Sequence, residues 1–172
     1  MKKFPLQILN QRVTLNGEEI EGVTQFSFGD ISVITIEVSG AGTAGNIDYP
    51  TGRYEAIEAT LSHGPLTSHV NKMRENRIFD LRFAFVYDVI DSEYTHSKEG
   101  NKIFLKGAFK SRSTGDYVNG EKVEATTTIS VLQYTIYDGS DKEIEKYDAL
   151  NNKVSINGKD LVEEENNYLY SI

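Results

Sequence analysis

Cysteine is absent from this sequence of 172 residues. Its absence excludes disulfide bonds, thiolate nucleophiles and metal sites that need cysteine ligands. No run of about 18 apolar residues occurs, so the sequence predicts no transmembrane helix. The first residues include two lysines, but the apolar stretch stops at Gln7 and does not form the hydrophobic region of a signal peptide. We therefore expect a protein that is made in the cytoplasm.

Motifs that carry chemistry are also lacking. The three histidines, His63, His69 and His96, do not have the spacing of zinc ligands. His63 and His69 lie beside or on a predicted helix, where we expect both to be partly exposed. No serine stands in a nucleophile elbow, and the acidic residues around Gly139 are typical of a solvated turn rather than a calcium loop. This pattern favours a structural or binding protein without a cofactor.

The stretch from Gly40 to Gly45 spells G-x-G-x-x-G. In a dinucleotide-binding fold, such glycines precede a helix and let the backbone approach a pyrophosphate. The residues that follow here, from Asn46 to Gly52, do not favour a helix. We interpret residues 39–52 as a long, glycine-rich loop that serves assembly.

Charge is unevenly distributed along the chain. The net charge is −8, yet residues 65–112 contain nine basic and six acidic side chains, whereas residues 138–172 contain four basic and nine acidic ones. An acidic protein is a poor candidate for tight nucleic-acid binding, because phosphate contacts come largely from Lys and Arg.

Strand patterns dominate the sequence. Residues 79–90 alternate with every second residue apolar, residues 101–112 and 122–137 form two more long strands, and residues 91–100 are predicted to be a long hairpin loop. Residues 53–61 are predicted to form one strand. The apolar positions change parity near Val131 and Leu132, which predicts a bulge or bend. The predicted core comprises Leu81, Phe83, Phe85, Leu105, Phe109, Ile129 and Val131, with Leu66, Val70 and Met73 of a helix covering one edge.

Turns and helices complete the prediction. Three Asn-Gly pairs, at positions 16–17, 119–120 and 157–158, are typical of hairpin turns. Only one segment, which starts at Pro65, has the periodicity of an amphipathic helix. Residues 163–172 form a polar tail. The sequence therefore predicts a single domain over residues 1–172, mainly β, with the architecture of a β sandwich or barrel and one short α-helix.

The order of these features resembles a known family. An early Asn16-Gly17 turn leads to a β-rich stretch that ends in the small-residue loop at Gly40, and a strand then leads through Leu61-Ser62-His63-Gly64-Pro65 to the helix. A pair of long strands follows, and the chain closes with Asn157-Gly158 and a polar tail. This order is similar to that of the major tail tube proteins of contractile-tailed bacteriophages and R-type bacteriocins.

The resemblance implies a structural protein without enzymatic activity. It implies hexameric rings that stack into a hollow tube, with each protomer contributing strands to a ring-wide inner β-barrel. The implied partners are further copies of the chain, a sheath protein, baseplate and tape-measure proteins, and DNA that passes through the lumen without tight binding. Such a protein is made in the bacterial host cytoplasm and assembled in a virion or bacteriocin tail.

Alternation and the resemblance together predict which residues line the lumen. The apolar residues of the third long strand need a core, so its polar set faces solvent, and the family places this strand in the inner barrel. The lumen-lining candidates are Glu58, Thr60, Glu124, Thr126, Thr128 and Ser130. Their carboxylates are expected to repel nucleic acid and to be free of protein contacts, while the orientation of Lys106 and Lys110 stays open. The candidates for ring stacking are Gly40, Gly42, Gly45, Asp48 and Tyr49.

Two other functions fit parts of the sequence. A tube protein of a type VI secretion system would share the fold and differ in function. A β-barrel that binds a small molecule or carbohydrate would direct an aromatic cluster such as Phe79, Phe83, Phe85 and Tyr87 into an interior cavity.

Overall fold

The computed structural model describes residues 2–40, 42, 44–65 and 67–170. The fold is mainly β, as predicted. In chain order, its elements are β1 (Lys3–Leu15), β2 (Glu18–Glu19), β3 (Val23–Phe28), β4 (Val33–Val38), β5 (Ile47–Tyr54), β6 (Glu58–His63), α1 (Thr67–Glu75), β7 (Ile78–Asp91), β8 (His96–Ser113), β9 (Ala125–Tyr137), β10 (Glu143–Asp148), β11 (Lys153–Ile156), β12 (Lys159–Asp160) and α2 (Glu163–Tyr170).

One antiparallel sheet contains most of the strands, in the order β12-β11-β10-β9-β8-β7-β1-β2, and β6 and β3 extend it from the free edge of β9. The sheet curls so that β3 comes to lie against β7 and β1. Phe26 on β3 stacks on Phe83 of β7, with ring centroids 4.5 Å apart. The Gln11 side-chain amide on β1 donates a hydrogen bond of 3.1 Å to the Thr24 carbonyl. We call the strands β1, β7, β8, β9, β6 and β3 the barrel body.

The core fills the barrel body. Of the predicted core residues, Leu81, Phe83, Leu105, Ile129 and Val131 are buried, while Phe85 and Phe109 are partly buried against them. Helix α1 covers one edge with buried Val70 and Met73, as predicted. Leu66, the third predicted helix contact, lies outside the described residues.

Strand β9 changes partners along its length, as the parity switch predicts. Its first half pairs with β6, from His63 opposite Ala125 to Glu58 opposite Ser130, and its second half pairs with β10. The register with β8 shifts by one residue beside Leu132, which is the signature of a β-bulge. The bulge resets the alternation, so both halves can direct apolar side chains inward.

Asn-Gly turns join two of the short hairpins. Asn16 and Gly17 have φ of 49° and 89°, and Asn157 and Gly158 have 51° and 80°. Two consecutive residues with positive φ match the twist of a hairpin, which is why Asn-Gly is favoured there. The third predicted hairpin turn, at 119–120, is wrong. Asn119 and Gly120 lie in a turn within the connection from β8 to β9, and this turn joins no paired strands.

The predicted loops are longer than the observed ones. Strands β7 and β8 reach Asp91 and His96, so the predicted loop at 91–100 is wrong. The Asp91 carboxylate accepts hydrogen bonds from the backbone N–H groups of Glu93 and Thr95, at 2.8 and 2.9 Å, which closes a short turn. Residues 47–52 of the predicted loop at 39–52 belong to β5, and the predicted strand at 53–61 is interrupted between β5 and β6.

The prediction of a single helix is also wrong, because most of the predicted polar tail forms α2. Three glutamates occupy its first turn, where carboxylates interact favourably with the helix dipole. Asp160 accepts a hydrogen bond of 3.0 Å from the Val162 N–H just before it. None of the residues in α2 is buried, so no apolar periodicity marks it in the sequence. Among the helices in the described part of the chain, none is long and apolar enough to span a membrane.

Candidate functional site

The antiparallel register of β6 and β9 aligns short hydroxyl side chains on one face of the barrel body. Thr60 lies opposite Thr128, and Ser62 lies opposite Thr126. All are half-buried, while their neighbours along each strand are buried. We call Thr60, Ser62, Thr126, Thr128 and Ser130 the hydroxyl strip. Four of the predicted lumen residues thus lie side by side, and Ser62, which was not predicted, joins them through the same alternation.

Glu58 lies at one end of the hydroxyl strip, opposite Ser130. Its carboxylate forms an ion pair with Lys110 of β8, which places Lys110 on the same face. Lys106 contacts Asp80 of β7 at 3.8 Å. Both lysines thus lie beside a carboxylate, so acidic groups do not dominate this face.

Glu124 precedes β9 and lies beyond the strip. Its carboxylate accepts a hydrogen bond of 2.9 Å from the Thr24 hydroxyl on β3. The expectation that Glu58 and Glu124 are free of protein contacts is therefore wrong, because the curl of the sheet brings β3 and β8 beside them. Replacing either residue with lysine would disturb a contact within the protomer as well as change the charge of the face.

Strands β4 and β5 form a separate two-stranded sheet with one apolar face. Ile36 lies opposite Tyr49, and Val38 lies opposite Ile47. Because successive side chains alternate, these four residues share a face, and Glu37 and Asp48 lie on the other. Ile36 is 53% exposed and Tyr49 is 59% exposed. We call β4, β5 and their connection the apolar hairpin.

The residues predicted for ring stacking occupy two parts of the apolar hairpin. Gly40, Gly42 and Gly45 are in the connection, where Gly42 has a φ of 104°. Asp48 and Tyr49 lie within β5 on opposite faces, so only Tyr49 belongs to the apolar face. Ala41 and Thr43 of the predicted loop lie outside the described residues.

The model of one family matches residues 5–169, nearly the whole chain, and its description is phage tail tube protein FII. The chain belongs to this family. Its members are structural tube proteins, so the predicted family is confirmed. No curated protein matches the chain.

Several solved structures have a similar fold. One is a chain of an extracellular contractile injection system, in a PVC sheath-tube complex in the extended state, with a TM-score of 0.57, 14% identity, and 78% of this chain and 93% of that chain covered. Another, from the cap that terminates the anti-feeding prophage tube, has a TM-score of 0.55, 20% identity, and coverage of 78% and 92%. Hcp1 from Flavobacterium johnsoniae has a TM-score of 0.50, 14% identity, and coverage of 80% and 98%.

The sequence did not predict two polar contacts of this tail tube protein, one buried and one partly buried. His63 is 1% exposed rather than partly exposed, and its Nε2 lies 2.9 Å from the hydroxyl of buried Thr127. The Tyr134 hydroxyl donates a hydrogen bond of 2.5 Å to Glu145. Burial is the main cause that raises the pKa of Tyr134, and this hydrogen bond is the second. Both contacts join neighbouring strands and stabilise the fold, and the His63–Thr127 contact lies behind the hydroxyl strip.

Proposed function

We propose that this tail tube protein is the protomer of the hollow tube in a contractile tail or injection particle. Copies close into hexameric rings, the rings stack, and the hydroxyl strip faces the lumen. A sheath surrounds the tube, a baseplate and a tape-measure protein contact its ends and interior, and DNA or another cargo passes through it. The protein is made in the bacterial cytoplasm and assembled in the particle. The family match and the sheath-tube complex among the similar folds support this proposal.

The hydroxyl strip is the observation that carries the lumen assignment. Its side chains are short, so they leave the channel open, and the Glu58–Lys110 ion pair beside it has no net charge. A wall of hydroxyl groups and paired charges offers a moving polymer few strong binding sites. Cargo could slide along the hydroxyl strip, because its side chains are uncharged and the neighbouring charges of Glu58 and Lys110 are paired.

The apolar hairpin supports the assembly of copies. An isolated two-stranded sheet is at best marginally stable in water, and this one exposes a row of isoleucine, valine and tyrosine side chains. Contact with a neighbouring copy would bury that face. We therefore assign the hairpin to the contacts between rings.

Assembly can be tested with the purified protein by sedimentation and negative-stain electron microscopy. We expect wild-type protein to form rings and filaments. The double variant Ile36→Ser with Tyr49→Ser removes apolar contacts from the exposed face of the hairpin, so it should keep the fold and lose filaments. Filaments of normal length from this variant would assign stacking to another surface.

The absence of cysteine permits a direct test of the lumen. Thr128→Cys introduces a single thiol on the hydroxyl strip, and Asn151→Cys introduces one in the exposed turn between β10 and β11. In assembled tubes, a lumenal thiol at position 128 should react with a small maleimide and not with a maleimide attached to a large polymer, whereas dissociated protomers should react with both. Equal reaction of the tubes with the large reagent would place position 128 outside the lumen.

The ligand-binding barrel receives no support from the interior of this protein. Phe79 and Phe83 pack within the core, whereas Phe85 and Tyr87 line a hollow of about 310 Å³ that opens at the surface beside β1. Adding small molecules to the protein in solution should therefore leave its melting temperature unchanged.

A further inference from the structure

A groove of about 280 Å³ lies on the outer face of β7, β8, β9 and β10. Cationic and aromatic side chains lie next to one another in it. The Arg82 guanidinium lies 5.0 Å from the centroid of the Phe104 ring, and the ring centroids of Phe104 and Tyr137 are 5.1 Å apart. Lys106 of β8 and Lys146 of β10 also line it. We call Arg82, Phe104, Lys106, Tyr137 and Lys146 the basic groove.

The basic groove and the hydroxyl strip share one face of the sheet. Ala108 of β8 lies opposite Ser130 of the strip, and Lys106 and Phe104 precede Ala108 on β8 at steps of two residues. Side chains two positions apart on a strand point to the same face, and four residues of strand span roughly 13 Å. In the proposed tube the groove therefore lies on the lumen wall beside the strip, and every copy has one.

The positive charge of the basic groove is only partly compensated. Lys106 lies 3.8 Å from Asp80. Among the described residues, neither Arg82 nor Lys146 forms an ion pair. Asp148, two residues after Lys146 on β10, accepts hydrogen bonds from the Asn151 N–H at 3.1 Å and from the Asn151 side-chain amide at 2.7 Å, which close its own turn. Two cations of the groove are thus available to an anionic ligand.

The aromatic rings of the groove determine which anion fits it. Phe104 lies between Arg82 of β7 and Tyr137 of β9, and the Tyr137 ring is inclined to the Phe104 ring by 56°. A nucleic-acid base therefore finds no open ring face on which to stack. A guanidinium that stacks on a ring keeps its N–H edge available for a carboxylate. The groove thus suits a carboxylate that stands beside an apolar or aromatic group.

An acidic polypeptide matches the groove better than duplex DNA does. Duplex DNA presents its phosphates on a rigid surface, and proteins bind it with many Lys and Arg contacts along the backbone. The basic groove offers two cations without an ion pair, and the adjoining strip offers only hydroxyl groups. A flexible polypeptide can place a carboxylate on Arg82 and Lys146 and an apolar side chain against Phe104 and Tyr137.

We propose that the basic groove binds an acidic segment of a polypeptide in the lumen, a segment in which Glu or Asp stands next to an aromatic or large apolar residue. This inference rests on the proposed function, because it takes the lumen as the place of binding. The hydroxyl strip lets the polypeptide slide, and the groove retains it. Because every copy contributes one groove, weak contacts add up along the tube.

Peptide binding to the unassembled protein tests the groove without the tube. The probe is a short fluorescent peptide that contains Glu-Phe-Glu between glycine and serine residues, and fluorescence anisotropy measures its affinity at low salt. Arg82→Gln with Lys146→Gln removes the two unpaired charges, so this variant should bind the peptide about tenfold more weakly or worse. Peptides with Gln in place of Glu, or with Ser in place of Phe, should also bind more weakly, and added salt should weaken the binding of the original peptide.

Two further variants separate the groove from a general effect of charge. Lys2→Gln with Lys122→Gln removes two exposed lysines that form no ion pair among the described residues, and it should change the affinity by less than about twofold. Arg82→Lys keeps the charge and loses the planar stack on Phe104, so it should weaken binding by a smaller factor, about threefold. Circular dichroism shows that each variant folds.

Assembled tubes test where the groove lies. The free peptide should sediment with wild-type tubes, whereas the same peptide attached to a large polymer should not, because the polymer cannot enter the lumen. Tubes of the variant Arg82→Gln with Lys146→Gln should retain about a tenth of the free peptide or less.

Four results would overturn the proposal, and they differ from one another. If the variant Arg82→Gln with Lys146→Gln binds the peptide like the wild type, the groove is not the site, while the tube function stands. If the groove binds labelled single-stranded or duplex DNA more tightly than the peptide, its ligand is nucleic acid. If tubes capture the polymer-attached peptide through the groove, this face is outside the lumen. A wild-type protein that never forms tubes would overturn the proposed function and the lumenal site with it, even where the protomer binds the peptide.

Discussion

The barrel body and the apolar hairpin are built from similar strands that meet different surroundings. Each has apolar side chains on one face, yet Leu61 of the body is 1% exposed and Ile36 of the hairpin is 53% exposed. The body buries most of its apolar residues within one protomer because its sheet curls, although Phe4, Leu6 and Ile8 at the start of β1 stay exposed. The hairpin is too small to curl, so its apolar face stays exposed in the protomer, and we propose that a neighbouring copy covers it. We therefore propose that the body supplies the stability of the protomer and that the hairpin supplies a contact between copies.

The largest effect on stability should come from the centre of the body. Phe83 contacts the rings of Phe26 and Phe85, so Phe83→Ala empties a well-packed site and should lower the free energy of unfolding by roughly 3–5 kcal/mol. Urea denaturation of the unassembled protomer measures it. An unchanged unfolding midpoint would mean that Phe83 is not part of the core.

A smaller effect should follow from the buried polar pair. Thr127→Val keeps the shape of the side chain and removes the hydroxyl beside His63, which should cost about 1–3 kcal/mol because a buried nitrogen loses its partner. The neighbouring change Thr128→Val, on the hydroxyl strip, is the control and should cost less than about 0.5 kcal/mol. Equal losses would show that the His63 contact does not stabilise the fold.

The hydrogen bond of the Tyr134 hydroxyl should contribute about 1 kcal/mol to the free energy of unfolding, and this contribution should depend on pH. The pKa of Tyr134 is raised in the folded protein, by burial first and the Glu145 hydrogen bond second. Above about pH 10 the unfolded state binds fewer protons than the folded state, so stability falls as pH rises. Tyr134→Phe removes this contribution, so the variant should be less stable at neutral pH and the difference should narrow above about pH 10. A difference that is constant with pH would contradict this account.

The smallest effect on stability should come from the hairpin. Ile36→Ser with Tyr49→Ser should change the free energy of unfolding of the protomer by less than about 0.5 kcal/mol, because both side chains are already exposed. The same variant should lose filaments. A large loss of protomer stability would mean that the hairpin packs on the barrel body of its own protomer in solution. The two regions would then not differ in the exposure of their apolar residues.

The alternation of polar and apolar residues predicted those features of the fold that depend on the sequence of one strand alone. The buried faces of β7 and β9, the bulge beside Leu132 and two Asn-Gly hairpins follow from local patterns. The same alternation selected four residues of the hydroxyl strip. These predictions succeed because a strand with one buried face repeats its polarity every second residue, whichever strands become its neighbours.

Contacts between distant strands could not be predicted in this way. Nothing near Glu58 in the sequence indicates Lys110, and nothing near His63 indicates Thr127, because the pairing of β6, β8 and β9 brings them together. Helix α2 was missed for a different reason. It buries none of its residues, so it lacks the apolar repeat by which helices are identified.

The pairing of β1 with β7 also affects how the chain folds. Val13 pairs with Phe83, which comes 70 positions later. On the ribosome, the apolar residues of β1 are therefore synthesised long before their partner strand β7. In the same way, β6 is synthesised long before its partner β9. Topologies with such distant pairings fold in roughly milliseconds to seconds, and a stopped-flow refolding experiment on the protomer should give a rate in that range. Until its partner strand is available the nascent strand is exposed to aggregation, so we expect the yield of soluble protein to rise when chaperones are supplied.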